Sequence, residues 1–140
     1  MSSVVPNIMH TMQNMIVKYF HRYPIIVGAG VKTGINIRYD NPKEVGADRI
    51  VNAVAAVEKY GAPLLVLDFG TATTVDAVDA GDVYVGGSSY PGVRVSMDAL
   101  AQNAAMLPHV ELNLPDKMLG YDTISQIQAG IVGGYVGSME

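Results

Sequence analysis

The chain has 140 residues, 49% of them hydrophobic, with nine Lys plus Arg against thirteen Asp plus Glu and a formal net charge of -4. That much apolar material supports a packed core and excludes an intrinsically disordered chain, while the absence of a basic tract argues against binding along a nucleic-acid backbone. Cysteine is absent, which excludes disulfides and thiolate chemistry. The apolar runs are too short to span a bilayer and the first residues do not read as a signal peptide, so a soluble, cytoplasmic protein is expected.

In chain order, Ser3 to Val5 reads as the end of a short strand closed by Pro6. Asn7 is a candidate N-cap, and from there Ile8, Met12, Met15, Ile16 and Tyr19 recur at helical spacing. Pro24 to Gly28 reads as a buried strand, followed by a Gly-rich stretch to Gly34 and an extended segment at Ile35 and Ile37. Asn41-Pro42 marks a turn. Ile50, Val51, Val54, Ala55 and Val57 form the apolar face of a helix that stops at Tyr60-Gly61. Pro63 to Asp68 and Thr73 to Val78 read as strands, and Gly81-Asp82 as a hairpin turn returning through Val83 to Val85. Pro91 is placed to open a helix whose apolar pattern runs from Val95 to Met106, and a last helix covers Thr123 to Met139.

This order predicts an α/β fold, and a composition break near Gly61–Pro63 divides residues 1–61 from 62–140. Gly130, Gly133, Gly134 and Gly137 sit in the last helix, where glycine is a poor helix former. Close packing explains them, within the chain or across a dimer contact. His10, His21 and His109 lack a second ligand at metal-like spacing. The eight methionines read as core filler. A dinucleotide-binding glycine box is excluded because Thr33 stands where its third glycine belongs.

Two stretches carry chemistry. Asp68-Phe-Gly-Thr-Ala-Thr-Thr-Val-Asp76 begins where an apolar strand ends. A carboxylate there can hold a cation, Gly70 lets the backbone approach closely, and Thr71 and Thr73 can direct donors at phosphate oxygens. The plainer reading is a Thr-rich hairpin with a capping Asp. In Gly46-Ala-Asp-Arg49, Asp48 can accept the proton of an attacking alcohol, and Arg49 offers a planar fork to a carboxylate. The plainer reading here has Asp48 capping the helix and Arg49 paired with a surface acid.

Together the two stretches belong to a longer ordered series. It comprises Ser-Ser-Val-Val-Pro near the start, Tyr39, Gly-Ala-Asp-Arg, Asp-Phe-Gly-Thr-Ala-Thr-Thr, Tyr90-Pro-Gly92, Ala99-Leu100, Ala105-Met-Leu-Pro108, Gly120-x-x-Thr123 and Gln128-Ala-Gly130. In this the chain resembles the type III pantothenate kinases, members of the actin-like (ribonuclease H-like) ATPase superfamily. The resemblance implies ATP-dependent phosphorylation of pantothenate, the first step toward coenzyme A. It makes Asp48 the proton acceptor and Tyr39, Gly46, Ala47, Arg49 and Thr123 the pantothenate contacts. It assigns Asp68 to a monovalent cation, potassium or ammonium, and Gly70, Thr71 and Thr73 to ATP, with magnesium arriving on the nucleotide. It also implies a homodimer, with neither nucleic acid nor membrane as partner. The family's first phosphate loop, Asp-x-Gly-Asn-Thr, does not occur in these residues. A partial fold of two subdomains is therefore expected, with strand edges exposed at Val4–Val5 and Ile25–Val27. A non-catalytic pantothenate-binding protein, or a regulatory accessory protein of the same family, is the alternative.

Overall fold

A computed structural model describes residues 1, 5–28 and 31–140. They form two compact units, Met1–Val66 with Val75–Ser88 and Leu67–Thr74 with Ser89–Glu140. The elements are α1 (Pro6–Phe20), β1 (Asn36–Ile37), a 3-10 turn at Pro42–Glu44, α2 (Ala47–Tyr60), β2 (Leu64–Phe69), β3 (Ala72–Val78), β4 (Val83–Pro91), α3 (Val93–Asn103) and α4 (Thr123–Gly137). The four strands make one sheet in the order β1-β4-β3-β2. β1 runs parallel to β4, with Asn36 opposite Val83 and Ile37 opposite Tyr84. The fold is α/β, as the sequence pattern predicts.

In the first unit the core is Val45, Ile50, Ala53, Val78 and Tyr84, with Ile35, Ile37, Val54, Val57 and Leu64 packed against it. Ile50, Ala53, Val54 and Val57 follow the helical period, so α2 turns one stripe onto the sheet. Burying a side chain such as Ile50 contributes about 2 kcal/mol. The helix ends at Gly61, whose φ of 75° suits glycine and whose N–H donates to the Val57 carbonyl at 2.8 Å. The β3–β4 turn is held by Asp79, whose Oδ1 accepts from Gly81 N at 2.9 Å and Val83 N at 3.1 Å.

Three local expectations change. α1 is capped at Val5 and starts at Pro6, so Asn7 lies inside it; proline needs no N–H partner and its fixed φ suits the first turn. Pro24 to Gly28 forms no strand, and Ile25 is 80% exposed. Met1 N donates to Ile25 O at 2.5 Å and Val27 N to Met1 O at 2.9 Å, but apolar, β-branched residues do not make a buried strand without neighbours to pack on. Of the strand expected at Ser3–Val5, only Val5 falls within the described residues. Finally, Pro91 closes β4 and does not open a helix. Gly92 caps α3 instead, because its N–H donates to the Thr71 carbonyl at 2.8 Å and keeps the chain extended through Pro91.

In the second unit α3 packs on α4. Met97, Ile127 and Ala129 are buried. Tyr135 joins the helices: its hydroxyl lies 2.9 Å from Ser96 Oγ and donates to the Pro91 carbonyl, and its ring packs 5.5 Å from that of Tyr90. Of the four glycines in α4, Gly133 meets the close neighbour that the sequence predicts. A Cβ there would fall 2.1 Å from Met118 Cε, whereas Gly130, Gly134 and Gly137 have nothing within 4 Å. Among the described residues no helix is long and apolar enough to cross a membrane.

α4 starts with a reciprocal cap. Asp122 Oδ1 accepts from Ile124 N at 2.9 Å and Ser125 N at 3.0 Å, and Ser125 Oγ lies 3.2 Å from Asp122 N. The bond from Ser125 N–H, then that from the Ser125 hydroxyl, holds the Asp122 carboxyl below its ordinary range. A lowered folded-state pKa stabilises above the unfolded value and is lost as pH falls through the folded one. Asp122→Ala should therefore lower the thermal midpoint at neutral pH and Asp122→Asn by less. The Ala deficit should vanish in acid, as followed by circular dichroism across the carboxylate titration.

Candidate functional site

In the first unit, β1 and α2 bring one group of residues together with the middle of the sheet. The ladder of β1 on β4 continues beyond Ile37, since Arg38 N donates to Tyr84 O at 2.8 Å. That places Tyr39 near enough to Tyr84 and Arg49 to act on both electrostatically. Gly46 caps α2 with no side-chain bond, which leaves Ala47, Asp48 and Arg49 in the first turn. Asp48 is exposed, and its Oδ1 accepts from Arg49 N at 2.9 Å. A carboxylate at a helix N-terminus is favoured by the dipole and by the unpaired amides there.

The Arg49 side chain turns inward to Asp76 on β3. Nε and Nη2 both reach Asp76 Oδ1, at 2.9 and 2.5 Å. The same oxygen accepts the Tyr84 hydroxyl at 2.5 Å. Asp76 is 1% exposed and Tyr84 fully buried, while the Arg49 side chain keeps 21% of its surface in solvent. A buried carboxylate survives only if paired and hydrogen-bonded, and here three donors do it. The bond to Asp76 raises the Arg49 pKa against the opposing effect of burial. Burial first, and the bond to Asp76 second, push the Tyr84 phenol well above its ordinary value. Both donors therefore stay protonated. Arg49 pairs with an acid, as its plainer reading held, but the acid is buried, not on the surface.

Gly87 makes room for this cluster. A Cβ on it would lie 2.0 Å from Val75 O, 2.9 Å from Arg49 Nη2 and 2.9 Å from Asp76 Oδ1. The sequence pattern assigns no role to Asp76, Tyr84 or Gly87. The available signal is a charged residue set within the apolar strand Thr74-Val-Asp-Ala-Val78, since such a position must find a partner.

The second unit holds the other group. Asp68 is exposed near the end of β2, and Gly70 and Thr71 form the exposed turn into β3. Gly92 locks that turn: beyond its bond to Thr71 O, a Cβ there would sit 2.0 Å from Gly70 O and 2.7 Å from Thr71 O. Thr73 is fully buried, and its Oγ1 and that of Thr74 have no hydrogen-bond partner among the described residues. Thr123 is exposed as the first residue of α4. No cluster of three or more His, Cys, Asp or Glu is placed to hold a metal among the described residues. A single carboxylate beside a backbone turn suits a hard cation that also takes carbonyl oxygens.

These features define an α/β protein with a carboxylate and a tethered guanidinium at one helix start, and a glycine-locked, threonine-rich turn between two strands. The family model for type III pantothenate kinase matches residues 1–140, and the chain belongs to that family. A type III pantothenate kinase from Agathobacter rectalis is 57% identical over 138 residues, covering 99% of this chain and 53% of the relative. One from Geobacillus sp. is 55% identical over 139 residues, covering 99% and 54%. The chain thus spans about half the length of the curated relatives it matches. A crystal structure of a conserved Baf family protein from Campylobacter jejuni shares the fold with a TM-score of 0.64 at 16% identity, covering 97% of this chain and 59% of that one.

Because the atoms that a Cβ at Gly87 or Gly92 would meet first are backbone oxygens, neither site can yield cheaply. Gly87→Ala and Gly92→Ala should each cost about 1–3 kcal/mol, read as a lower urea midpoint. Gly133→Ala, which meets only the flexible end of Met118, should be close to neutral.

Proposed function

We propose that this chain is the substrate-binding and second phosphate-loop portion of an ATP-dependent pantothenate kinase with an actin-like fold, acting in the first step toward coenzyme A. The observation that carries the reading is the first turn of α2, where a solvent-accessible carboxylate adjoins an ordered guanidinium. Phosphoryl transfer to an alcohol asks the protein chiefly for positioning and charge neutralisation, with one group to take the hydroxyl proton. Asp48 is the proton acceptor. A carboxylate is a weak base in water, so it acts by placement. Arg49 offers its remaining N–H groups to the pantothenate carboxylate, Tyr39, Gly46 and Ala47 shape the pocket beside it, and Thr123 supplies a further contact.

The turn at Gly70–Thr71 serves the nucleotide. Its backbone is held from behind by Gly92, so the amide groups and the Thr71 hydroxyl are set before any phosphate arrives. Thr73, buried beneath the strand surface, supports the turn from within and contributes shape more than a direct contact. Asp68 would hold a potassium or ammonium ion, and magnesium would enter on ATP; bound cations supply charge neutralisation for the transferred phosphoryl group. The family is read as a homodimeric, cytoplasmic enzyme, with residues 1–61 and 62–140 as its two subdomains here. The other reading is a pantothenate-binding protein without turnover.

A coupled ADP-release assay with pantothenate, magnesium and potassium separates the two. Turnover that depends on potassium, and falls by about 10²–10⁴ in Asp48→Asn, supports the kinase. Asn retains the oxygen that accepts Arg49 N–H, so the thermal midpoint should hardly move. Saturable pantothenate binding without ADP release would identify the binding protein. An Asp48→Asn variant that keeps most of its turnover would remove the proposed base.

A further inference from the structure

We propose that Asp76 is a positioning residue that, with Tyr84, holds Arg49 by its Nε–Nη2 edge so that the guanidinium meets a carboxylate-bearing ligand already ordered. This deepens the pantothenate reading and rests on it for the identity of the ligand. An arginine has five N–H donors, and two of them are spent on Asp76 Oδ1. The others belong to a side chain that is 21% exposed, so the group is anchored from within and open from without. A free arginine would lose its rotamer freedom on meeting a ligand; one already tethered by a rigid strand has given it up during folding.

The surroundings support a built device. Asp76 lies on β3 and Tyr84 on β4, both in the sheet. The tether therefore hangs on two strands and not on a loop. Tyr84 fixes the Asp76 oxygen from its own side, at 2.5 Å. Gly87 provides the clearance in which the pair sits, since a Cβ there would lie 2.9 Å from both Arg49 Nη2 and Asp76 Oδ1. A pair serving only stability would be replaceable by apolar residues. Here one partner is drawn to the surface beside Asp48, where its remaining donors can be used. The close negative charge of Asp76 tempers the cation, so what the tether offers a ligand carboxylate is ordered geometry more than charge.

The test compares two ligands on the purified chain by titration calorimetry: pantothenate and pantothenyl alcohol, which carries a neutral CH2OH in place of the carboxylate. Asp76→Asn should weaken pantothenate roughly tenfold and leave the alcohol unchanged. Tyr84→Phe, which keeps the ring and loses one donor, should act in the same direction by less, and carries the test if Asp76→Asn does not fold. An equal loss for both ligands, or tighter pantothenate binding in Asp76→Asn, overturns the proposal. A ligand-free readout runs beside it: the Arg49 Nε–H resonance should exchange slowly in the wild-type chain and rapidly in both variants. If the wild-type chain binds neither ligand, the pantothenate reading fails, and an Nε–H signal unchanged by the variants then overturns the tether as well.

Discussion

One carboxylate oxygen, Asp76 Oδ1, receives donors from two other elements: Nε and Nη2 of Arg49 on α2, and the hydroxyl of Tyr84 on β4. A charge at 1% exposure is tolerated only because those donors replace the water it has lost. Much of the first unit follows from that requirement. α2 must begin close enough to β3 for Arg49 to reach, which puts Gly46, Ala47 and Asp48 at the same edge. Tyr84 must be fully buried, and it is also the residue on which β1 finds its register, opposite Ile37 and bonded to Arg38 N. Tyr39 is carried into place by that ladder. Gly87 must lack a side chain. The apolar core of Val45, Ile50, Ala53 and Val78 supplies the bulk of the burial, but the polar cluster sets which faces meet.

The second unit solves a different problem, that of keeping a short turn fixed with little around it. Gly70 and Thr71 are exposed, and a turn of that kind would ordinarily be among the more mobile parts of a chain. Gly92 restrains it by a backbone bond and by contact too close for any Cβ. The reach of that restraint extends along the chain. Pro91 is pulled into β4, α3 starts only at Val93, and Tyr135 of α4 closes on the Pro91 carbonyl. A turn braced in this way presents its amides without further ordering, which is what an anion-binding loop needs.

The parts of the fold that are legible in the sequence are those governed by neighbours along the chain. The stripe of Ile50, Val54 and Val57, the β-branched run before Val78 and the Gly81–Asp82 turn each carry their own signal within a few residues. Pro24 to Gly28 shows the limit of that kind of reading. Its composition is that of a strand, yet Ile25 is 80% exposed, because a strand is completed by what pairs and packs with it and not by its own residues. Pro91 misleads for a related reason: proline suits a helix start and a strand end alike, and the bond from Gly92 to Thr71, some twenty residues back, makes the choice.

The candidate site divides along the same line. Local pattern suffices for the α/β class, for the family through its ordered motifs, and for singling out the two stretches proposed as the site, since glycine, aspartate, arginine and threonine at those spacings are facts of the chain itself. It takes the folded arrangement to tether Arg49 to Asp76, to bring Tyr84 to the same oxygen, to bury Thr73 where Thr71 is exposed, and to demand clearance at Gly87 and Gly92. Asp76 lies 27 residues from Arg49. No local propensity relates two such positions, and their pairing comes from the sheet, which brings distant segments into contact and removes the water that a lone charge would require.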